Sequence, residues 1–215
     1  MSVDSPRTDK ILGMFAASHL EYQLLANTET QPTLTEMTAK ALEVLKKNVN
    51  GFVLLVEGGR IDHAHHATWA RLSLEETLEF EKVVEFVRKE TDEEDTLIVV
   101  GADHGHVFTV GGYQVKTTVH LIMMILTLFL QPRGRNILGV GDFSNNDGNW
   151  FFTLSYANGP GFSDHLNPDR TRANPQGMSY MDPSFRMPTM LPLNSETHSA
   201  EDVGVYALGP YSHVI

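Results

Sequence analysis

The stretch Phe52-Val-Leu-Leu-Val-Glu-Gly-Gly-Arg-Ile-Asp-His-Ala-His-His66 decides the expected fold, because an apolar run is followed at once by residues that commonly bind metals. Residues 52–56 are all apolar, which is typical of a strand of a parallel sheet that is covered on both faces. Ligands bind at the carboxyl ends of such strands, so we expect a site to begin at Glu57. In a helix after the glycines, Asp62 and His66 would share one face and could bind one cation.

A second apolar run repeats this arrangement. Thr96-Leu-Ile-Val-Val100 predicts a strand, and it leads into Asp103, His104 and His106. Between the two predicted strands, residues 72–89 have apolar positions at helical spacing and a Glu-rich outer face, which predicts a helix. Strand, helix and strand with short connections form a βαβ unit, so we expect parallel strands and a right-handed crossover. A histidine beside a glycine is often only a polar loop residue, but two such clusters favour a metal site.

The other segments predict further elements of an α/β domain. Thr33 and Glu36 form a capping-box pair that begins a helix, and Asn50-Gly51 ends it. Residues 163–192 are rich in Pro, Asn, Asp and Met without periodicity, which predicts a long surface loop. Two later strands are predicted, at 150–156 and 203–208.

Composition narrows the functional classes. The net charge of −11 disfavours nucleic acid and acidic membrane surfaces as partners. The chain has no cysteine, so a zinc ion would need nitrogen and oxygen ligands. The N-terminus has no apolar core of a signal peptide, and the apolar stretch 117–130 is shorter than the roughly 20 residues that cross a bilayer.

Four motifs resemble, in order and spacing, those of animal alkaline phosphatases. They are Glu57-Gly-Gly-Arg-Ile-Asp-His-Ala-His-His66, Ala102-Asp-His-Gly-His-Val-Phe108, Gly111-Gly-Tyr113 and Glu196-Thr-His-Ser-Ala-Glu-Asp-Val203. The resemblance implies a partial three-layer α/β/α fold with a mainly parallel central sheet and a metal site at the strand C-terminal ends. It also implies that residues 1–215 are the C-terminal half of the family's domain. Residues 115–131 interrupt the resemblance, and we interpret them as a non-native insertion.

The resemblance implies two zinc ions and one magnesium ion as cofactors, on residues that match the family's ligands. These are Asp62, His66 and His198 for the first zinc, Asp103 and His104 for the second zinc, and Glu57 for magnesium. The first set has three ligands and one open position, as in catalytic zinc sites. An alternative for Glu57 is a salt bridge to Arg60.

Three further residues match positions that surround the metals, the phosphate or the dimer contact without binding a metal: His63, His106 and Tyr113. For the two histidines, a purely structural role is an equally open alternative. For His65 we expect packing.

The implied activity is phosphate monoester hydrolysis through a zinc-assisted phosphoserine mechanism. No catalytic residue is assigned, because the family's Asp-Ser-Ala nucleophile motif has no match and Asp4-Ser5-Pro6 lies outside the resemblance. The aspartate shared by the second zinc and magnesium, the hydroxyl ligand of magnesium and the phosphate-binding arginine are also absent. We therefore expect this chain alone to be inactive.

The resemblance further implies a phosphate monoester substrate, a homodimer in the full-length family, and an extracellular or plasma-membrane location through a lipid anchor whose signal this chain lacks. Two alternative functions remain. The chain could be a non-catalytic metal-binding fragment, or it could belong to related sulfatases or phosphodiesterases that share the metal arrangement.

Overall fold

The computed structural model describes residues 8–112, 137–141 and 146–215. The chain divides into two compact units. Unit 1 comprises Met1–Arg60, Glu76–Asp103 and Val203–Ile215, and unit 2 comprises Ile61–Glu75 and His104–Asp202. The helices are α1 (Leu34–Leu45), α2 (Arg60–His66) and α3 (Ala70–Glu90). The strands are β1 (Ile98–Gly101), β2 (Gly105–His106), β3 (Phe108–Val110), β4 (Leu154–Gly159), β5 (Thr189–Pro192), β6 (His198–Ser199) and β7 (Val205–Leu208).

Helix α1 begins at the predicted capping box. The Thr33 hydroxyl accepts from the Glu36 amide at 3.0 Å, and the Glu36 carboxylate accepts from the Thr33 amide at 2.8 Å. Two amides that have no partner inside the helix are thus satisfied by a local pair, so this prediction is confirmed.

A buried carboxylate ties α1 to α3 within unit 1. Glu79 is only 4% exposed, and its carboxylate accepts from the amide and the hydroxyl of Thr35 at 3.1 and 2.8 Å. Lys82 reaches the other carboxylate oxygen at 3.3 Å. The buried charge therefore has hydrogen-bond partners on both oxygens, which offsets its desolvation.

Unit 1 corrects the predicted βαβ unit. Strand β1 matches the predicted second strand but pairs antiparallel with β7, in the register Ile98 to Leu208. Residues 52–56 form no strand or helix within the described part of the chain. They do not lie in a sheet covered on both faces, because alternate side chains are open to water: Val53 is 94% exposed and Leu55 is 84% exposed. The apolar run predicted burial, but burial also needs a neighbouring strand, which sequence patterning cannot supply.

Unit 2 holds a three-stranded sheet and the main apolar core. Strand β4 pairs antiparallel with β3 and parallel with β5. The buried core residues are Ala70, Leu74, Ile137, Leu138, Leu154, Tyr156 and Met187. The prediction of a mixed α/β fold is confirmed. The mainly parallel central sheet is not seen among the described residues, where β4 with β5 is the one parallel pairing in three small sheets.

The segment 163–192 is not simply the surface loop that its composition predicted. It contains a 3-10 turn at Ser163–His165 and strand β5. Met187 is buried in the core of unit 2, and its amide donates to the Thr68 carbonyl at 2.9 Å. His165 is also buried, between the rings of Phe152 and Phe185. A few large side chains, including His165 and Met187, bury this segment against the core. Because they are not regularly spaced, the sequence shows no hydrophobic periodicity that would predict their burial.

Tyr113 and the predicted insertion 115–131 lie outside the described residues. In the part of the chain that is described, no helix combines the length and the apolar character needed to cross a membrane.

The exposed side chains of Val53 and Leu55 predict self-association of the chain. The double variant Val53→Thr, Leu55→Thr should associate less, with a free energy of unfolding within about 0.5 kcal/mol of the parent, because neither side chain is buried. Light scattering over a concentration series and urea titration measure the two quantities.

The matched control is Leu42→Thr in α1, whose side chain is buried. It should lose about 2 kcal/mol or more without reducing association. Unchanged association of the double variant would contradict the assignment of this surface.

The buried imidazole of His165 predicts a loss of stability in acid. Burial lowers its pKa, although the Arg186 carbonyl and Asp164 act in the opposite direction. Below pH about 6.5 the unfolded chain binds a proton that the folded chain excludes, so this contribution is present above that pH and is lost as the pH falls. His165→Phe keeps the aromatic packing and should show a smaller drop in unfolding free energy from pH 7 to pH 5. Equal drops in the unfolding free energy of the parent and His165→Phe, measured by urea titration, would refute this prediction.

Candidate metal centre

Helix α2 carries the first two donors of a cluster in unit 2. Asp62 lies in its first turn, where a carboxylate interacts favourably with the helix dipole, and His66 lies in its last turn. The helix stops because Thr68 adopts a left-handed conformation with φ of 57°, and the Trp69 amide closes the end on the Ala64 carbonyl. One helical turn separates Asp62 from His66, so both side chains project from the same face, as predicted.

Two short strands bring the other donors to the same place. In the β2–β6 pair, His106 is directly opposite His198. The Glu196 amide donates to the His66 carbonyl at 2.9 Å, which joins this pair to the end of α2. Asn158 also holds Thr197 through its side chain, with bonds of 2.9 and 3.0 Å. Residues far apart in the sequence are therefore fixed by backbone pairing.

Three donor atoms form a nearly equilateral triangle. The Nε2 atoms of His66 and His198 lie 3.3 and 3.2 Å from Asp62 Oδ1, and 3.2 Å from each other. Zinc bonds of about 2.0–2.2 Å at a tetrahedral angle place neighbouring ligands roughly 3.3–3.6 Å apart. The triangle thus fits one face of a zinc coordination tetrahedron, on the residues predicted for the first zinc.

Two more imidazoles approach the same carboxylate oxygen. His106 Nε2 lies 3.0 Å and His104 Nε2 lies 3.7 Å from Asp62 Oδ1. The rings of His104 and His198 stack with centroids 3.4 Å apart. Asp62, His104, His106 and His198 together form a set of possible ligands of one cation, and His66, His106 and Glu196 form a second, overlapping set. Asp62 Oδ1 and the four imidazoles around it make five donors, one more than the four ligands of a tetrahedral zinc, so the cluster has capacity for a second cation or for supporting partners.

The cluster fits a cation by its electrostatics as well as its spacing. Asp62 Oδ1 and His106 Nε2 are buried, and neither makes a hydrogen bond of ordinary geometry in the described part of the chain. Burial alone would raise the pKa of Asp62, but the four surrounding imidazoles lower it. The site therefore offers an ionised carboxylate beside nitrogen donors, which is the donor set that zinc prefers in a chain without cysteine.

Glu196 contacts two rings of the cluster on the side away from Asp62, at their Nδ1 atoms. Its side chain is fully buried, and its two carboxylate oxygens accept from His106 Nδ1 at 2.6 Å and from the Val107 amide at 2.8 Å. Its carbonyl oxygen lies 2.5 Å from His66 Nδ1. Burial alone would lower the pKa of His106, but the bond and charge of Glu196, together with Asp62, raise it.

His65 packs behind the donors, as predicted. Its ring stacks on His106 with centroids 4.6 Å apart, and its Nδ1 lies 2.8 Å from the Tyr156 hydroxyl. Burial, with a smaller contribution from His106, lowers the pKa of His65 to about 3. This imidazole is therefore neutral at physiological pH, and it contributes packing against His106 rather than a charge.

Three further predicted site residues, Glu57, Asp103 and His63, are not among the donors described above. Glu57 and Asp103 belong to unit 1, and both are exposed. His63 lies half-buried on α2, and its carbonyl accepts from the Ala67 amide at 3.3 Å. Their metal-binding or supporting roles stay predictions.

Two residues, His106 and Glu196, are more central to the donor cluster than the sequence predicts. The sequence predicts a place for His106 outside the ligands, and its Nε2 is nearer to Asp62 Oδ1 than that of any other ring described above. Its role stays a prediction. Glu196 opens the last of the four motifs, and the sequence predicts no role for it. A usable signal was present, because a carboxylate two residues before a ligand histidine lies on the same face when the chain is extended.

Comparison with known proteins gives one consistent family. The family model for alkaline phosphatase matches residues 1–215. The tissue-nonspecific alkaline phosphatase isozyme of Mus musculus is 38% identical over 216 residues, which cover 100% of this chain and 37% of the mouse protein. The alkaline phosphatase of Gadus morhua is 38% identical over 100% of this chain and 41% of its own length. A membrane-bound alkaline phosphatase of Bombyx mori is 39% identical over 97% of this chain and 35% of its own length.

One solved structure is also similar, a cold-active alkaline phosphatase from the psychrophile Shewanella sp. The match is 38% identical with a TM-score of 0.36, and it covers 38% of this chain and 21% of that chain. The chain spans between 35% and 41% of the length of the curated relatives named above. With the family model matching over its whole length, the chain belongs to the alkaline phosphatase family.

Proposed function

We propose that the donor cluster of unit 2 is the zinc-binding side of a site that hydrolyses phosphate monoesters. The observation that carries the proposal is the triangle of Asp62 Oδ1, His66 Nε2 and His198 Nε2, with edges of 3.2–3.3 Å. Family membership supplies the reaction class, and the triangle supplies a reason for zinc.

The ligands are proposed as the sequence predicted them. Asp62, His66 and His198 would hold the first zinc, Asp103 and His104 the second zinc, and Glu57 a magnesium ion. Bound zinc would supply Lewis-acid stabilisation of charge on the phosphoryl oxygens and a lowered pKa for a bound water.

This chain's own residues set the charge of the site. One ionised carboxylate and neutral imidazoles do not cancel the charge of a divalent cation, so the centre stays positive toward a phosphate dianion. That local charge is needed because the chain as a whole carries −11 and would repel an anionic substrate. Glu196 and His65 are buried behind the donors, and they leave the Nε2 edges of the ligand rings facing Asp62.

The nucleophile is proposed to come from sequence that this chain does not contain. The family's Asp-Ser-Ala motif has no match in the 215 residues, so we propose that the phosphoserine route requires the part of the relatives to which this chain does not align. The same reasoning treats residues 1–215 as a partial domain, with 115–131 as a non-native insertion. A homodimeric, cell-surface or extracellular protein with a lipid anchor is the assembly we propose for the complete enzyme.

Zinc titration tests the proposed ligands. His66→Ala and His198→Ala should each weaken zinc affinity by about 100-fold or more, because loss of a ligand exceeds the 10- to 100-fold effect of losing an outer partner. Isothermal titration calorimetry of the 215-residue chain at neutral pH is the measurement. His213→Ala, on an exposed 3-10 turn of unit 1, is the control and should bind like the parent. Equal affinity in the parent and His66→Ala would sink the assignment.

An activity assay tests the reaction. The chain alone, supplied with zinc and magnesium, should hydrolyse no aryl phosphate through a phosphoserine, because cooperating catalytic groups lose most of their effect when one is missing. A chimera that adds the preceding region of the Mus musculus relative should hydrolyse it with zinc dependence, and the same chimera with His66→Ala should not.

Circular dichroism and gel filtration establish that both chimeras fold. A folded, zinc-loaded chimera without turnover would count against a phosphatase and in favour of a non-catalytic metal-binding fragment. A trapped phosphoserine in the chain alone would refute the proposal of an external nucleophile.

A further inference from the structure

We infer that Glu196 is a positioning residue that fixes the ring nitrogens of His66 and His106, so that both Nε2 atoms face Asp62 and the cation. The inference rests on the proposed function and adds a residue to it. Glu196 does not touch the substrate in this account. It acts through the two imidazoles that it holds.

The geometry shows two separate contacts from one residue. The carboxylate oxygen Oε2 lies 2.6 Å from His106 Nδ1, and the backbone carbonyl lies 2.5 Å from His66 Nδ1. A carbonyl oxygen can only accept, and a proton shared between a carboxyl group and an imidazole rests on the imidazole, which is the stronger base. Both Nδ1 atoms must therefore carry a proton, which leaves each Nε2 as the nitrogen that faces Asp62.

The second carboxylate oxygen explains why a charged residue is needed. Oε1 accepts from the Val107 amide at 2.8 Å, so the side chain must accept on both of its oxygens at once. A glutamine offers one acceptor and one donor group. Because the Val107 amide can only donate, the glutamine oxygen would turn toward it and the NH₂ group would face His106.

That substitution makes a specific prediction for one histidine. In Glu196→Gln the NH₂ group requires an unprotonated Nδ1 on His106, so the proton must move to Nε2. That nitrogen lies 3.0 Å from Asp62 Oδ1, so its proton would occupy the carboxylate oxygen that is offered to the cation. His66 bonds to the backbone carbonyl, which the substitution leaves in place. His66 should keep its Nδ1 proton and is an internal control in the same protein.

Two measurements test the inference on the 215-residue chain. Long-range ¹H–¹⁵N correlation spectra of the metal-free protein report which ring nitrogen carries the proton. They should give protonated Nδ1 for both histidines in the parent, and a bare Nδ1 for His106 only in Glu196→Gln. Calorimetry should give zinc affinity about 10- to 100-fold weaker in Glu196→Gln. Glu196→Asp keeps two acceptor oxygens and should restore the Nδ1 proton and part of the affinity.

Glu79→Gln is the matched control, because Glu79 is also a buried carboxylate that accepts from a backbone amide. Its loss of stability should resemble that of Glu196→Gln, while its spectra at His66 and His106 and its zinc affinity should match the parent. This comparison separates a positioning role from a general cost of neutralising a buried charge.

Each outcome decides the inference. A bare Nδ1 on His66 or His106 in the parent overturns it even if Glu196→Gln fails to fold. An unchanged His106 proton in Glu196→Gln, or a moved proton with zinc affinity within about twofold of the parent, also overturns it. If the parent binds no zinc, the proposed function fails, while the metal-free spectra still support or overturn the role of Glu196 in orienting the rings.

Discussion

The attraction of the Asp62 carboxylate for its neighbours makes the crowding of imidazoles in the unit 2 cluster possible. Four imidazole nitrogens lie within 3.0–3.7 Å of one of its oxygens. Rings packed so closely would repel one another if several were protonated, and the anion limits that cost by attracting each of them. The side chain is partly buried, so the attraction is screened less than at an open surface. Burial and negative charge together favour a cation at this point in the fold.

The precision of the cluster comes from backbone pairing rather than from the donors. The β2–β6 ladder is only two residues long, yet it places His106 opposite His198. It is supported by the Ala157 amide, which donates to the Val107 carbonyl at 2.9 Å. Gly159 lets strand β4 pass close to Thr68 and Glu196. A Cβ at this position would lie 2.7 Å from the Thr68 methyl group and 3.2 Å from the Glu196 Cβ. A larger residue would push apart the segments that carry the ligands.

Local features of the sequence were predictable, and tertiary partners were not. The Thr33 cap, helix α3 and the shared helical face of Asp62 and His66 depend on neighbours within four residues, so their chemistry is visible in the sequence. The pairing of β1 with β7 joins residues more than a hundred positions apart, and apolar composition does not specify it. The residue types of the donor cluster were also visible in the sequence, because aspartate and histidine beside glycine are chemically conspicuous, while their roles as ligands stay a prediction. The role of Glu196 was not, since it follows from which atoms its two oxygens face.

The separation of the donors along the chain has a consequence for folding. His66 and His198 are 132 positions apart, and their Nε2 atoms lie 3.2 Å from each other. A cation bound to both would close a long loop, and the entropy of closing a loop grows with the logarithm of its length. The chain has no cysteine. Such a cation would cross-link distant parts of the chain as a disulfide does in secreted proteins, but reversibly. Its contribution to the free energy of folding would rise with the logarithm of the free cation concentration once the site is saturated.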